Sequence, residues 1–164
     1  ELNEETLKTR SLKGGEWPSN GYNRISFDYC KEYPDVMYAQ LAGPDRYSLY
    51  GIYKSSNGGE TWKRLSNPPG NVSYAQAWYC FKISTAPADT NFITSLSVDP
   101  IYSKNGGNTW LSMADPHADY HEVTWINNNE FLIGNDAGVS RFNKNSMNTY
   151  EDLNNGLNIT QFYL

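Results

Sequence analysis

Long apolar runs are missing from this sequence. No stretch of its 164 residues approaches the ~18–20 unbroken apolar side chains of a membrane-crossing helix, so no membrane span is expected. Basic residues are also scarce: 13 Lys and Arg stand against 18 Asp and Glu, a formal net charge of −5. That balance argues against nucleic acid as a partner, which normally meets a basic face. Cysteine and histidine each occur twice. Cys30 and Cys80 could form one disulfide or remain two buried thiols, and the sequence leaves both open. Runs of Ala, Leu and Glu that would build helices are few. Asn (19), Gly (13), Tyr (13) and Trp (5) are plentiful instead. Such a mixture suits strands joined by tight turns.

One octapeptide recurs. Ser55-Ser56-Asn57-Gly58-Gly59-Glu60-Thr61-Trp62 returns 48 residues later as Ser103-Lys104-Asn105-Gly106-Gly107-Asn108-Thr109-Trp110. A decayed copy, Asn143-Lys144-Asn145-Ser146-Met147-Asn148-Thr149-Tyr150, follows after another 40. Three strand-like runs precede each copy and one follows it. In the first unit these are 23–28, 36–41, 51–53 and the run from Thr61; in the second, 78–83, 91–96, 100–102 and 111–113; in the third, 121–126, 130–134, 138–142 and 151–153. Four short antiparallel strands per 40–50 residues is the pattern of a β-propeller blade. The expected fold is therefore all-β, about three four-stranded blades and part of a fourth. Residues 23–70, 71–116 and 117–157 form the blades. Residues 1–22 end a preceding blade or serve as a linker, and 158–164 open a following one. Because propellers typically close with four to eight blades, the chain is expected to be a portion of a larger ring, completed by further blades of the same or partner chains.

Within the octapeptide the glycines permit the positive φ of a tight hairpin. Ser and Asn side chains can bond the turn's own backbone, and Trp supplies an apolar body beneath it. Ser55, Asn57, Gly59, Thr61 and Trp62, with Ser103, Asn105, Gly107, Thr109 and Trp110, are thus expected to be structural. Asn amides are poor sole ligands for hard cations, so a metal role for these turns is not expected.

These residues resemble the Asp-box, or bacterial neuraminidase repeat. With Gly134-Asn135-Asp136-Ala137-Gly138 and the run from Leu153 to Tyr163, the chain is similar over roughly residues 22–163 to large secreted propellers of the sortilin-like and xyloglucanase-like groups. The resemblance implies a propeller fold and a secreted or cell-surface location. It leaves activity open, because fold does not fix function. Asn replaces the usual Asp of the box at 57, 105 and 145.

The richest chemical cluster is His117-Ala118-Asp119-Tyr120-His121. In an extended strand His117, Asp119 and His121 would share one face. Two imidazoles and a carboxylate could then bind a divalent metal, the one cofactor considered, or transfer protons. Asp136 is read first as a turn residue and second as a ligand candidate; Asp28 and Asp99 are read as strand-end residues. Two sequons, Asn71-Val72-Ser73 and Asn158-Ile159-Thr160, would matter only in a glycosylating route. No phosphate-binding glycine loop, nucleophile elbow or catalytic cysteine setting is present. Nothing in the sequence pairs two carboxylates as a glycosidase requires, and the five arginines are scattered.

The expected function is accordingly a non-catalytic binding or adhesion scaffold with a carbohydrate or protein ligand. The alternative is part of a polysaccharide-active glycoside hydrolase, xyloglucanase-like or sialidase-like, whose carboxylates lie largely elsewhere. A third reading, a peptide-binding receptor head of the sortilin-like kind, rests on the repeats alone.

Overall fold

The structure, a computed structural model, describes residues 14–68 and 76–157. Both sequons and the expected opening strand at 158–164 lie outside the described residues. Among those described the chain is all-β and folds into three sheets. The first contains β2 (Ile25–Cys30), β3 (Tyr33–Ala42), β4 (Leu49–Ser55) and β5 (Thr61–Arg64). The second contains β6 (Lys82–Ala86), β7 (Asp89–Leu96), β8 (Pro100–Ser103) and β9 (Leu111–Ser112). The third contains β10 (Tyr120–Trp125), β11 (Glu130–Asn135), β12 (Gly138–Asn143) and β13 (Glu151–Asp152). Each is an antiparallel meander of four strands in sequence order. A two-residue strand, β1 (Gly14–Gly15), adds to the outer side of the first sheet in parallel with β5. The sheets are blades of a β-propeller, and their first strands stand side by side, β2 against β6 and β6 against β10.

Strand alternation decides which side chains enter the interfaces. Between the first and second sheets, Tyr38 and Ile52 meet Ile83, Ile93, Ile101 and Trp110. Between the second and third, Phe92, Leu96, Tyr102 and Met113 meet Tyr120, Phe131, Ile133, Phe142 and Met147. Polar clasps cross both seams. Asp28 Oδ2 accepts from Thr85 N at 2.9 Å and from Ser84 Oγ at 3.1 Å. Trp125 Nε1 donates to Ser84 Oγ at 3.0 Å, and Lys82 pairs with Glu122 at 2.7 Å.

The two intact octapeptides carry matching hydrogen bonds. Ser55 Oγ accepts from Gly59 N and Ser103 Oγ from Gly107 N, both at 2.9 Å. Asn57 Oδ1 accepts from Thr61 N at 3.0 Å and Asn105 Oδ1 from Thr109 N at 2.9 Å. In each turn both glycines have positive φ: 64° and 86° at Gly58 and Gly59, 68° and 84° at Gly106 and Gly107. Two successive positive-φ residues closed by a bond from residue 60 to 57, or 108 to 105, make a type I′ turn. The tryptophans differ. Trp62 Nε1 donates to its own turn at Gly59 O, 2.9 Å away. Trp110 Nε1 instead reaches Ser66 O of the preceding sheet at 3.1 Å.

The third copy has lost this geometry. Neither Ser146 nor Met147 has a positive φ, because a side chain there would be strained in it. The bond closing the turn runs from Ser146 N to Asn143 O at 2.9 Å. Tyr150, at the Trp position, is 44% exposed, while Trp62 and Trp110 are 7% and 6% exposed. Met147 is buried and fills the interface instead.

Among the described residues, the first sheet has one face that no other sheet covers. The shared register with the octapeptides equates Ile25, Phe27 and Tyr29 with Phe81, Ile83 and Thr85 of the second sheet. The latter are 4%, 0% and 2% exposed; the former are 43%, 64% and 43%. Trp17 covers the outer part of this face by packing on Tyr53 and Trp62, with ring centroids 5.6 and 4.9 Å away.

Candidate functional site

Antiparallel meanders place the approach to each first strand and the turn between the second and third strands at one end of the blades. The octapeptides occupy the opposite end. The first end collects residues 76–81 before β6, residues 117–119 before β10, and Asn135–Gly138 between β11 and β12.

The second sheet starts later than its apolar run suggests. Residues 78–81 do not extend β6; they form a turn in which Tyr79 N and Cys80 N both donate to Gln76 O, at 2.9 and 3.2 Å. One guanidinium nitrogen holds that turn. Arg24 Nη1 donates to Ala77 O at 3.2 Å, Trp78 O at 2.8 Å and Tyr79 O at 3.0 Å, while the guanidinium lies 5.9 Å from the centre of the Phe81 ring. The turn therefore projects two adjacent aromatics, Trp78 at 55% and Tyr79 at 38% exposure. They lie 5.3 Å apart. The Tyr79 ring meets His121 edge-on at 4.8 Å.

His121 Nε2 donates to Asp136 Oδ1 at 2.8 Å. Asn135 takes the turn-forming role next to it: Asn135 Oδ1 accepts from Ala137 N at 3.0 Å, which leaves the Asp136 carboxylate to orient the imidazole. The expected common face of His117, Asp119 and His121 does not form. Strand β10 begins only at Tyr120, and Asp119 has a left-handed φ of 63°, so strand alternation is broken between His117 and His121. His117 is exposed, with Nδ1 3.1 Å from Ala118 O. Asp119 Oδ1 lies 3.6 Å from Cys80 Sγ. Among the described residues no group of three His, Cys, Asp or Glu side chains converges as a metal site.

The cysteines are not bridged. Cys30 and Cys80 are both free and buried; Cys30 Sγ donates to Pro87 O at 3.2 Å. Burial, followed by the nearby Asp119 carboxylate, pushes the Cys80 thiol up to about 11, against a helping bond from Ser97. A thiol so protonated is a poor nucleophile at neutral pH. Burial also raises the Tyr120 phenol, whose hydroxyl donates to Asp115 Oδ1 at 2.5 Å.

Trp78, Tyr79 and Arg24 carry the site and were not singled out by sequence reasoning. The sequence carried no signal for this: the second sheet is packed on both faces, so adjacent aromatics at 78 and 79 could each have faced a covered side of a strand. The carbonyl-gathering role of Arg24 has no sequence signature, since its partners lie more than fifty residues away.

No family model and no curated protein matches the chain. Solved structures do. An ancestral GH74 enzyme matches with a TM-score of 0.52 and 15% identity over 80% of this chain and 18% of its own. YCF48 from Cyanidioschyzon merolae matches with a TM-score of 0.56 and 15% identity over 82% of this chain and 38% of its own. YCF48 bound to D1 peptide matches with a TM-score of 0.53 and 17% identity over 88% and 46%. The chain thus spans less than half the length of each of these proteins. All are β-propeller proteins, and at these identities the likeness concerns the fold alone. No helix among the described residues is long and apolar enough to cross a membrane.

Proposed function

We propose that this chain is part of a non-catalytic propeller scaffold whose blade end binds a protein ligand in an extended conformation, with Trp78 and Tyr79 as the contact platform. The observation that carries the reading is a division of labour at that end. Three carboxylates at that end, those of Asp136, Asp115 and Asp45, are engaged in holding the fold, while the aromatic rings are presented outward. Asp136 orients His121, Asp115 accepts from Tyr120, and Asp45 accepts from Tyr47 N, Ser48 N and Ser48 Oγ. Those amides hold the Asp45 carboxyl below its usual range. A glycosidase instead needs one carboxylic acid kept protonated and a second carboxylate across the bond. Exposed Trp and Tyr are the side chains that contribute most in binding interfaces. That one fold neighbour was solved with a peptide bound agrees with a protein ligand.

The exposed row Ile25, Phe27 and Tyr29 supports further blades beside the first sheet, because the equivalent row of the second sheet is covered by a sheet. The octapeptide turns support a secreted or cell-surface location, since the propellers they resemble are exoproteins. The test is a pull-down of unstructured peptides with the chain and with Trp78→Ala. Enrichment that Trp78→Ala abolishes is expected; no enrichment removes the reading. Reducing-sugar release from β-glucan or xyloglucan by a longer protein carrying the further blades would favour the alternative, a polysaccharide-active glycoside hydrolase whose carboxylates lie largely outside this chain.

A further inference from the structure

At the opposite end of the blades, β4 and β5 pair Lys54 directly with Lys63. Like charges facing each other across an antiparallel ladder repel. The corresponding strands of the third sheet pair Arg141 with Glu151, an ion pair, and those of the second pair Tyr102 with Leu111. Only the first sheet carries the repulsive arrangement among these ladders. Among the described residues no carboxylate comes within ion-pair distance of either lysine. Lys54 is half-buried, its ammonium 5.3 Å from the centre of the Tyr38 ring, and burial lowers its pKa.

Both lysines line a cleft of about 440 Å³ between the first and second sheets, with no carboxylate among its described lining residues. Arg64 borders it too, but its guanidinium is engaged on the other face of the sheet, where Nη2 donates to Tyr50 O at 2.7 Å and the group lies 5.5 Å from the centre of the Tyr50 ring. Two cations thus gather at one place in a chain of formal charge −5. The rest of the lining includes the neutral amides of Asn91, Asn105 and Asn108, while the Ser66 hydroxyl donates to Gly107 O and Asn108 O at 2.8 Å. Asn105 Nδ2 gives one proton to Thr109 Oγ1 at 2.9 Å and retains a second N–H. The volume lies within the range of small-ligand pockets. Ammonium groups with amide donors match the oxygens of an anion, and the same amides match sugar hydroxyls.

We propose that this cleft is an oxyanion site, taking the sulfate or carboxylate of an acidic sugar or the free inorganic anion. A bound anion relieves the Lys54–Lys63 repulsion and supplies Lys54 with a charge partner. The site is independent of the aromatic platform at the other end.

The test is calorimetric titration of the full chain at low salt with glucose 6-sulfate, glucuronic acid, sodium sulfate and glucose, with amide shifts mapped by NMR. Binding of the anionic probes, absent for glucose, is expected, with shifts centred on Lys54, Lys63 and Asn105. Tighter binding of glucose 6-sulfate than of sulfate would assign the sugar source; equal binding would assign the free anion. Lys63→Gln, at an exposed position, should weaken either by tenfold or more. Lys63→Glu should abolish binding and raise Tm, because it gives Lys54 its missing partner. Glucose binding as well as glucose 6-sulfate, no binding of any anion, or an unchanged affinity in Lys63→Gln would each overturn the proposal.

Discussion

Leu65 occupies the space that a side chain on Gly107 would need: a Cβ built there would overlap Leu65 Cδ1. The second octapeptide turn is therefore shaped by the preceding sheet as well as by its own bonds. At the next seam the equivalent positions are Met113 and Met147, and both are buried in one cluster. A glycine that accommodates a leucine has been exchanged for a methionine packed with a methionine. The type I′ turn disappeared with that exchange.

Gly107→Ala should consequently cost more than Gly156→Ala. Both glycines have positive φ, 84° and 83°, but among the described residues nothing lies within 4 Å of a Cβ on Gly156. Gly156→Ala then reports backbone strain alone, about 1 kcal/mol, and the overlap adds about 1–3 kcal/mol at Gly107. Leu65→Ala in the Gly107→Ala background should recover the steric part. Urea denaturation of the four proteins checks this; equal costs at the two glycines would contradict it.

Arg24→Lys should loosen the turn carrying Trp78 while leaving the sheets intact. A lysine cannot reproduce the guanidinium that gathers three carbonyls. A loss of about 1–3 kcal/mol is expected for bonds to a charged donor. Faster amide exchange at Tyr79 and Cys80, with β7 and β11 unchanged, is the signature to measure.

Gln40 is fully buried; its Oε1 accepts from Ser95 Oγ at 2.6 Å, while Nε2 has no hydrogen-bond partner among the described residues. An unsatisfied buried donor costs about 1–3 kcal/mol. The double change Gln40→Met with Ser95→Ala removes both partners and should raise stability by about 1 kcal/mol. Gln40→Met alone strands the serine hydroxyl and should gain less. Thermal melts of the single and double variants separate the two effects.

Stability should fall at alkaline pH partly through Cys80. Burial holds its folded pKa at about 11, above the 9.0 of an ordinary cysteine thiol. The contribution is therefore fully present below pH 9, where both states keep the thiol. It is lost as pH rises toward 11, because only the unfolded state ionises in that window. Each unit of separation is worth about 1.4 kcal/mol. Cys80→Ala should flatten the pH dependence of urea midpoints between pH 9 and 10.5; an unchanged slope would refute the assignment.

The repeat was legible because its turn chemistry is local. Ser and Asn close the turn on backbone within the octapeptide, and its two glycines supply the positive φ there, so spacing alone exposed the strand order. The blade end was harder to read. Trp78-Tyr79 looked like the start of a strand, yet Arg24, more than fifty residues earlier, holds it as a turn. The alternation expected through His117, Asp119 and His121 failed at one backbone angle, the positive φ of Asp119. No residue pattern announces that angle, since aspartate adopts it only occasionally. The Asp136–His121 pair joins strand β10 to the turn between β11 and β12, and only the hairpin register brings them together.

The strip Gly14–Gly15 alongside Thr61–Trp62 has a consequence for solubility. A circumferential strand of four residues would offer unpaired amides to any neighbouring molecule, a template for runaway stacking. The two glycines cap that template at β5, the longest of the outer strands. The outer strands of the other two sheets are only two residues each, too brief to seed a foreign strand, and Glu151 and Asp152 add repulsion at the third. Rim protection is thus divided between a sealed margin and two margins trimmed short.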